Sequence, residues 1–241
     1  MAGEPTEART RRLGRRRALT EDEILDAALE LLDEGGPAAA SVRGIAARVG
    51  VAPNAVYTYF PDKAAVVDAI VERLLGEVDH DVFADRSEPW LRRVESVALE
   101  LRQRVTAHPG AVPLMLGAPM NGPRALALNE RLLELLADIG LNTTDAARAA
   151  HLLFVYIFGS IALEVADLHR PGALAPESER VAARHHRYAD VPAEHLPRTR
   201  AAAATLAGHI STDQYLWGLH RVLDGVILNG PAGHTDAPAS G

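Results

Sequence analysis

Cysteine is absent from this 241-residue sequence, and aromatic residues make up only 5% of it. The first absence excludes disulfide bonds, thiolate metal ligands and a cysteine nucleophile. The scarcity of aromatic side chains, in a chain dominated by Ala, Leu, Val, Arg and Glu, favours helices over strands. We therefore predict an all-α protein.

Long apolar runs are also absent. No window approaches the roughly 18 to 20 consecutive apolar residues of a membrane span, and the N-terminus is rich in arginine. A secretory signal peptide needs an apolar stretch, so we expect a cytoplasmic protein without a membrane partner. The sequence contains no nucleophile motif, phosphate-binding glycine loop or zinc motif. We therefore expect neither an enzyme nor a bound cofactor.

Lysine is nearly missing, since Lys63 is the only one in the chain. The formal net charge is -7, but the charges are uneven, and arginines crowd residues 9–17. We predict that residues 1–19 form a basic, disordered arm, which suits DNA phosphates or a minor groove. A solvated tail without a DNA role has the same composition.

Capping signals and helical periodicity mark the first helices. Thr20 and Glu23 form a capping box ahead of a helix that ends at Gly35. Ser41 caps a short second helix, and a third begins near residue 53 and ends at residues 60 and 61. Asp62 caps a fourth, which continues to about residue 78. We assign residues 20–75 to one helical domain.

The second region, residues 76–230, is predicted to be a larger helical domain, followed by a disordered tail at 231–241. A long helix begins at Trp90, a broken one falls within 112–123, and another spans 124–139. Thr143 or Thr144 caps the most apolar helix, and the last helix spans 212–228. Residues 169–199 contain four prolines and many charges, which predicts a flexible loop.

Residues 42–60 match the pattern of a helix-turn-helix. Ala46 allows two helices to approach closely, and Gly50 can adopt the positive φ of a tight turn. The apolar seam would consist of Ile45, Val49, Val51 and Val56. The side chains left to face a DNA major groove are Asn54, Ala55, Tyr57, Thr58 and Tyr59. A helical corner without a DNA role would have similar spacing.

The residues that follow make the pattern more specific, because they read Tyr57-Thr58-Tyr59-Phe60-Pro61-Asp62-Lys63. From Thr20 to about Leu75 the sequence resembles the tetracycline repressor (TetR) family. The resemblance implies that Arg43, Asn54, Ala55, Tyr57 and Tyr59 lie at the groove or its phosphates. It also implies that Lys63 contacts a phosphate. A lysine gains nothing from a helix N-terminus, which favours this role over a merely solvated lysine.

The segment from Tyr215 to Gly225 resembles the final helix of the tetracycline-binding branch of the family. In that family this helix and the apolar one before it form a four-helix dimer interface with their mates. We therefore expect a homodimer, which suits a palindromic operator. The predicted interface residues are Leu152, Val155, Ile161, Leu216, Leu219 and Leu223.

When this sequence is aligned with that branch, Met115 falls near the position of a metal-binding histidine, and Glu164 falls near the position of a carboxylate ligand. A thioether is a poor magnesium ligand, and the adjacent His185 and His186 cannot readily face one ion from a regular helix. We expect no metal and an apolar or aromatic effector. The predicted cavity residues, of a kind that more often forms ordinary core than a cavity wall, are Leu101, Val105, Leu114, Met115, Leu116, Leu133, Phe154, Phe158 and Glu164.

These features predict a repressor that a small molecule releases from a palindromic operator, with residues 62–78 carrying the signal between the domains. Two alternatives remain open at this point. One is a DNA-binding regulator that activates transcription or needs no ligand. The other is a helical small-molecule carrier with a vestigial helix-turn-helix.

Overall fold

The computed structural model describes residues 19–166, 168 and 171–228, and every regular element in this part of the chain is helical. The predicted all-α class is confirmed. The predicted tail, and the predicted arm except for Leu19, lie outside the described residues. The α-helices are α1 (Glu21–Gly35), α2 (Val42–Val49), α3 (Pro53–Tyr57), α4 (Lys63–Gly76), α5 (Trp90–Thr106), α6 (Val112–Gly117), α7 (Pro123–Asp138), α8 (Thr143–Val165), α9 (Glu177–Ala189), α10 (Pro197–Ala201), α11 (Ala203–Ala207) and α12 (Thr212–Leu228).

The helix caps at the N-terminal end are those that the sequence predicts. The Thr20 hydroxyl accepts a hydrogen bond from the Glu23 amide, and the Glu23 carboxylate accepts one from the Thr20 amide. The Ser41 side chain caps α2 by accepting from the Gly44 amide at 3.1 Å, and the Asp62 side chain caps α4 by accepting from the Ala65 amide at 2.9 Å. Each cap contributes about 0.5–2 kcal/mol, because it satisfies an amide that has no partner within the helix.

The helices α1 to α4 enclose a small apolar core, and α4 continues from it into the second region. The core is formed by fully buried aliphatic side chains from each of the longer helices, which are Ile24, Leu32, Ile45, Ile70 and Leu74. A single turn of 3-10 helix at His80–Ala84 then links α4 to α5.

The second region packs around α8, which contacts α5, α6, α7 and α12. By length and composition alone α8 could cross a membrane, with a mean hydropathy of 1.6. It is therefore an exception to the expectation that no segment approaches a membrane span. Leu153, Phe158 and Ile161 are among its buried residues, so α8 is the central core helix of this region.

Two predictions about the second region were wrong. The cap of α8 is Asn142, whose side chain accepts a hydrogen bond from the Asp145 amide at 3.0 Å, and not Thr143 or Thr144. The predicted loop at 169–199 contains α9 and α10. Helix α9 has no buried residue, so it lacks the apolar stripe by which a helix is recognised in a sequence.

Candidate DNA-reading face and ligand cavity

The turn between α2 and α3 has the geometry that the sequence predicts. Gly50 adopts φ 74° and ψ 34°, and its amide donates to the carbonyl groups of Ala46 and Ala47. A left-handed backbone of this kind favours glycine because a Cβ atom would be strained there. Ile45 and Val56 on either side of the turn are completely buried, so the two helices are locked into one unit.

The helix pair leaves a polar and aromatic surface exposed. Arg43 on α2 and Asn54 on α3 are exposed, as is Thr58, whose hydroxyl donates to the Asn54 carbonyl at 3.1 Å. Tyr57 is 49% exposed and Tyr59 37% exposed, although aromatic side chains are usually buried. Ala55, also on α3, is half-buried. The residues predicted for DNA contact thus lie around one short helix.

The two arginines of α2 are in opposite situations. The Arg48 guanidinium is paired with two carboxylates of α1. It donates to Glu30 at 2.8 Å, and it donates to both carboxylate oxygens of Glu34, one of them at 3.2 Å. Within residues 19–166, Arg43 has no hydrogen-bond or ion-pair partner. Arg43 is therefore available to an external anion, whereas Arg48 is neutralised within the protein.

Two of the predicted contact residues also form hydrogen bonds with backbone carbonyls at the ends of α1. The Tyr59 hydroxyl donates to the carbonyl of Leu19, immediately before α1. The Lys63 ammonium donates to the carbonyl of Pro37 in the turn between α1 and α2, at 2.5 Å. Both groups therefore hold the ends of the first helices, and both remain at the surface.

A cavity of about 410 Å³ lies in the second region, between α5, α7, α8 and the end of α4. This volume is within the range of about 300–1,000 Å³ that small-molecule sites occupy. Its walls are almost entirely apolar, and the rings of Phe154 and Phe158 contact each other at a tilt of 35°, with centroids 4.7 Å apart. Exposed residues form the mouth, which are Leu126, Asn129, Ala147 and His151.

Four residues predicted for the cavity line it, namely Leu101, Leu133, Phe154 and Phe158. The prediction needs correction at five others, which are Val105, Leu114, Met115, Leu116 and Glu164. Val105 and Met115 are buried in the core outside the cavity, and Leu116 is 50% exposed. Helix α6, which carries three of the five, packs against α4 and α8, so the cavity wall is α7 instead.

The sequence contained a signal for the missed wall. Ala125, Leu128 and Leu132 of α7 recur at helical spacing and all line the cavity. Ala147 and Ala150 on the facing side of α8 are too small to fill the space between the two helices. Only the packing of α7 on α8 brings these two rows together.

Glu164 belongs to a buried ion network. Its carboxylate accepts hydrogen bonds from Arg102 of α5 and from Arg180 of α9, at 2.7 Å each. Arg102 also contacts Glu177 and Thr212, at 3.0 and 2.7 Å. The network joins α5, α8, α9 and α12, and it leaves Glu164 no free oxygen for a metal ion. Among the described residues, no group of three or more His, Asp or Glu side chains could hold a metal.

Helix α4 connects the helix-turn-helix with the cavity directly. Leu75 near its C-terminal end lines the cavity. One turn earlier, the Glu72 carboxylate accepts hydrogen bonds from the Arg124 and Ala125 amides at the start of α7, at 2.7 and 3.3 Å. Gly122 permits this approach, because a Cβ atom there would lie 2.2 Å from the Glu72 carboxylate. The start of α7 is thus capped by a side chain of α4.

The predicted dimer residues divide into two groups. Leu152 and Val155 are 47% and 51% exposed on α8, and Leu216 is half-buried. Ile161, Leu219 and Leu223 are buried in the core between α8 and α12 of one protomer. This is a correction, because these three side chains are already covered. Leu163 and Trp217, which the sequence prediction did not include, are also exposed apolar side chains, at 72% and 60%.

A helix-turn-helix joined to a helical region with a ligand-sized cavity defines the class of transcriptional regulators that read DNA through two short helices. Comparison with known proteins makes the class specific. Residues 24–70 match the family described as "Bacterial regulatory proteins, tetR family". Residues 84–228 match "Tetracyclin repressor-like, C-terminal domain". The chain belongs to the TetR family, and it is a DNA-binding transcriptional regulator.

Individual relatives agree with this assignment. An "HTH-type transcriptional regulator" of Saccharopolyspora erythraea is 31% identical over 202 residues, which are 84% of this chain and 79% of that protein. The class A tetracycline repressor from Escherichia coli is 27% identical over 59% of this chain and 66% of its own length. The structure of ActR from Streptomyces coelicolor with actinorhodin has the same fold, with a TM-score of 0.71 and 23% identity over 88% of this chain and 97% of ActR.

Proposed function

We propose that this protein is a repressor that binds a palindromic operator as a homodimer and is released from it by a small molecule. The observation that carries the proposal is α4, which begins in the helix-turn-helix and ends in the wall of the cavity. A ligand in the cavity therefore contacts the helix that orients the DNA-reading face. This protein works without enzymatic activity, in the cytoplasm, and residues 20–75 and 76–230 act as its two domains.

The reading face of this proposal consists of the residues that surround α3, which are Arg43, Asn54, Ala55, Tyr57, Thr58, Tyr59 and Lys63. Asn54 and Thr58 offer hydrogen-bonding groups to base edges, and Arg43 and Lys63 offer positive charge to phosphates. Lys63 would exchange its bond to the Pro37 carbonyl for a phosphate. A charged donor gains more from an ionised oxygen than from a neutral one.

The dimer interface of this proposal is the uncovered apolar surface of α8 and α12. Leu152, Val155 and Leu163 are exposed on α8, and Trp217 and Ile227 on α12. Apolar patches of this kind mark protein contacts, and a two-fold dimer presents two identical heads to a palindrome. Glutamate at Leu163 and at Trp217 should convert the dimer to monomer in sedimentation velocity. Leu196→Glu, at a side chain that is 45% exposed on another surface, serves as the control.

Release would follow from strain on α4. A ligand between α5, α7 and α8 contacts Leu75, and the Glu72 cap transmits any displacement of α7 to the same helix. A shift of α4 changes the separation of the two reading heads, which must match successive major grooves. ActR is a structural neighbour that has been crystallised with a small molecule, actinorhodin, and this supports an effector role for the cavity here.

The experiment that tests the proposal is selection of bound duplexes from a random DNA pool, followed by affinity measurements at two salt concentrations. We expect an enriched palindrome whose affinity falls steeply with salt. Tyr57→Ala and Lys63→Ala should weaken binding while the dimer stays folded, and Arg148→Ala, at an exposed side chain of α8, should not. If the folded dimer enriches no sequence, the DNA-reading role is refuted. A palindrome whose complex no compound dissociates would instead indicate a regulator without a ligand.

A further inference from the structure

The charge of the cavity wall restricts the chemistry of its ligand. None of the described residues that line it carries a carboxylate, ammonium or guanidinium group. An ionised ligand would lose its hydration in this cavity without gaining a counter-charge, which is strongly unfavourable. The nearest ion network, around Glu164, is satisfied internally and lies outside the cavity. An uncharged ligand avoids this cost.

A metal chelate is excluded by the same wall. Magnesium prefers carboxylate and carbonyl oxygens, and it is held by several of them together with water. Among the described residues that line the cavity, the only side chains with nitrogen or oxygen atoms are Asn129 and His151. Met115, which stands near the metal-ligand position in the tetracycline-binding branch, is 1% exposed and buried in the core away from the cavity. The ligand must therefore bind without a metal ion.

The polar groups of the cavity lie at one end only. Asn129 of α7 and His151 of α8 are both exposed at the mouth, and within residues 19–166 neither has a hydrogen-bond partner. Together they offer donors and an acceptor. The deep end is formed by buried side chains such as Val97, Leu101 and Leu153. A ligand that fits this arrangement has an apolar body and one polar end.

The aromatic pair gives the body its shape. Phe154 and Phe158 both line the cavity, and their rings are tilted by 35° to each other. Aromatic ligands gain attraction from such rings beyond the burial of their surface. Ala98 and Ala150 in the same wall have small side chains that leave room for a ring. The wall thus favours fused or linked aromatic rings.

From these observations we infer that the cavity binds an uncharged, metal-free aromatic compound, whose hydroxyl or carbonyl group lies at the mouth between Asn129 and His151. The inference rests on the proposed function, because it specifies the effector of the same site. It can fail independently, since ligand binding is measured on the protein alone and operator release is measured separately.

Two fluorescent probes test the charge requirement directly. N-phenylnaphthylamine is neutral, and anilinonaphthalene sulfonate has the same ring framework with one negative charge. Both brighten in apolar surroundings. The full-length protein should bind the neutral probe at least about tenfold more tightly than the sulfonate, and magnesium should change neither affinity. Equal or tighter binding of the sulfonate through the cavity, or enhancement by magnesium, would overturn the inference.

Two pairs of variants show whether the probes occupy this cavity. Ala147→Trp at the mouth should abolish binding of the neutral probe, whereas Ala127→Trp, on the exposed outer side of α7, should not. Leu126→Arg places a cation at the rim and should strengthen sulfonate binding. Leu116→Arg, at a side chain of similar exposure outside the cavity, should leave it unchanged. Circular dichroism of each variant checks that it is folded.

The polar end is tested with a hydroxylated form of the neutral probe. Asn129→Leu and His151→Leu should each weaken the hydroxylated compound by about threefold or more and leave the parent compound unchanged or tighter. Parallel losses for both compounds would refute the polar role of these two residues. If no neutral aromatic compound binds the folded wild-type protein, the inference as a whole is refuted. Binding without operator release would instead contradict the proposed function alone.

Discussion

Arg102 of α5 holds the buried Glu164 of α8 through two parallel hydrogen bonds, of 2.7 and 3.0 Å, one to each carboxylate oxygen. Both side chains are nearly inaccessible to solvent, with 11% and 5% of their surface exposed. Arg180 donates to the same carboxylate from α9. This ion network therefore links α9, which also packs against α11, to the core helices α5 and α8.

Replacing Glu164 by Gln should destabilise the protein strongly, because it leaves two buried guanidinium groups with too little negative charge. Removal of one partner from a buried pair costs about 3–5 kcal/mol. Glu134→Gln is the matched control, since its pair with Arg131 on α7 is exposed and should contribute less than about 1 kcal/mol. Urea denaturation of both variants measures the difference. Equal losses would show that the Glu164 network is not a stabilising one.

The two arginines of α2 should differ in their effect on operator binding. Arg43→Ala removes an unpaired cation from each of the two reading faces of the dimer, so affinity should fall. The slope of log affinity against log salt should decrease by about 0.9 for each lost phosphate contact, which is about 1.8 for the dimer. Arg48→Ala removes a cation that Glu30 and Glu34 already neutralise, so the slope should stay the same. A reversed ranking in fluorescence anisotropy titrations at several salt concentrations would contradict the assignment of this face.

Substitution of Gly50 should report on the turn of the helix-turn-helix. Gly50→Ala forces a Cβ atom into the left-handed region, at a cost of about 1–2 kcal/mol. Gly50→Asn should cost less, because asparagine tolerates this conformation. No atoms lie within 4 Å of an added Cβ, so the backbone angle alone sets the difference. Thermal unfolding that ranks Ala at or above Asn in stability would be inconsistent with this account.

Glu72→Ala should loosen α7 and the reading head together. The Arg124 and Ala125 amides lose their acceptor, so their hydrogen exchange should accelerate, and stability should fall by about 0.5–2 kcal/mol. Operator affinity should also fall, because α4 loses a contact that fixes its orientation. Asp68→Ala, at an exposed position on the same helix, is the control. Faster exchange with unchanged operator affinity would mean that Glu72 is a helix cap and nothing more.

The attachment of α9 should depend on pH through Glu177. Burial alone would raise the pKa of this carboxyl, but hydrogen bonds from Thr212 and Arg102 outweigh it and hold the pKa below the ordinary value of 4.5. A lowered folded-state pKa contributes stability that is complete above the unfolded value and is lost as pH falls through the folded value. The stability difference between wild type and Glu177→Gln should therefore be constant near neutral pH and shrink below about pH 4.5. A difference that stays constant in denaturation curves down to pH 3 would contradict this linkage.

Local features of the fold could be predicted from the sequence, and features that depend on distant residues could not. The caps at Thr20, Ser41 and Asp62 join residues three positions apart, so each cap can be recognised within a short stretch of sequence. Helix α9 was missed because it is held by packing against α11 and by the contact of Glu177 with Arg102, which are 75 positions apart. Periodicity detects an apolar stripe, and α9 has none.

The site divides in the same way. The exposed surface around α3 could be predicted because the pattern from Arg43 to Lys63 is contiguous, and the residues of α3 that do not pack against α2 are exposed. The cavity was predicted in part, because the aromatic residues Phe154 and Phe158 of α8 indicated one of its walls. Its other wall, on α7, depends on how two helices pack, and neither helix contains that information alone. Three of the six predicted dimer residues are buried within the protomer for a related reason, since the sequence does not tell which apolar side of α8 meets α12.

The contact of Glu72 with the start of α7 has a consequence for exchanging parts between members of the family. A chimera that takes its DNA-binding half from another regulator would end that half near Gly76, and it would carry a foreign residue at the place of Glu72. Unless the side chain of that residue also accepts hydrogen bonds, the amides of Arg124 and Ala125 have no acceptor next to the cavity. Helix α4 thus contributes to both halves. A chimera that preserves this contact must therefore be joined within α4, before Glu72.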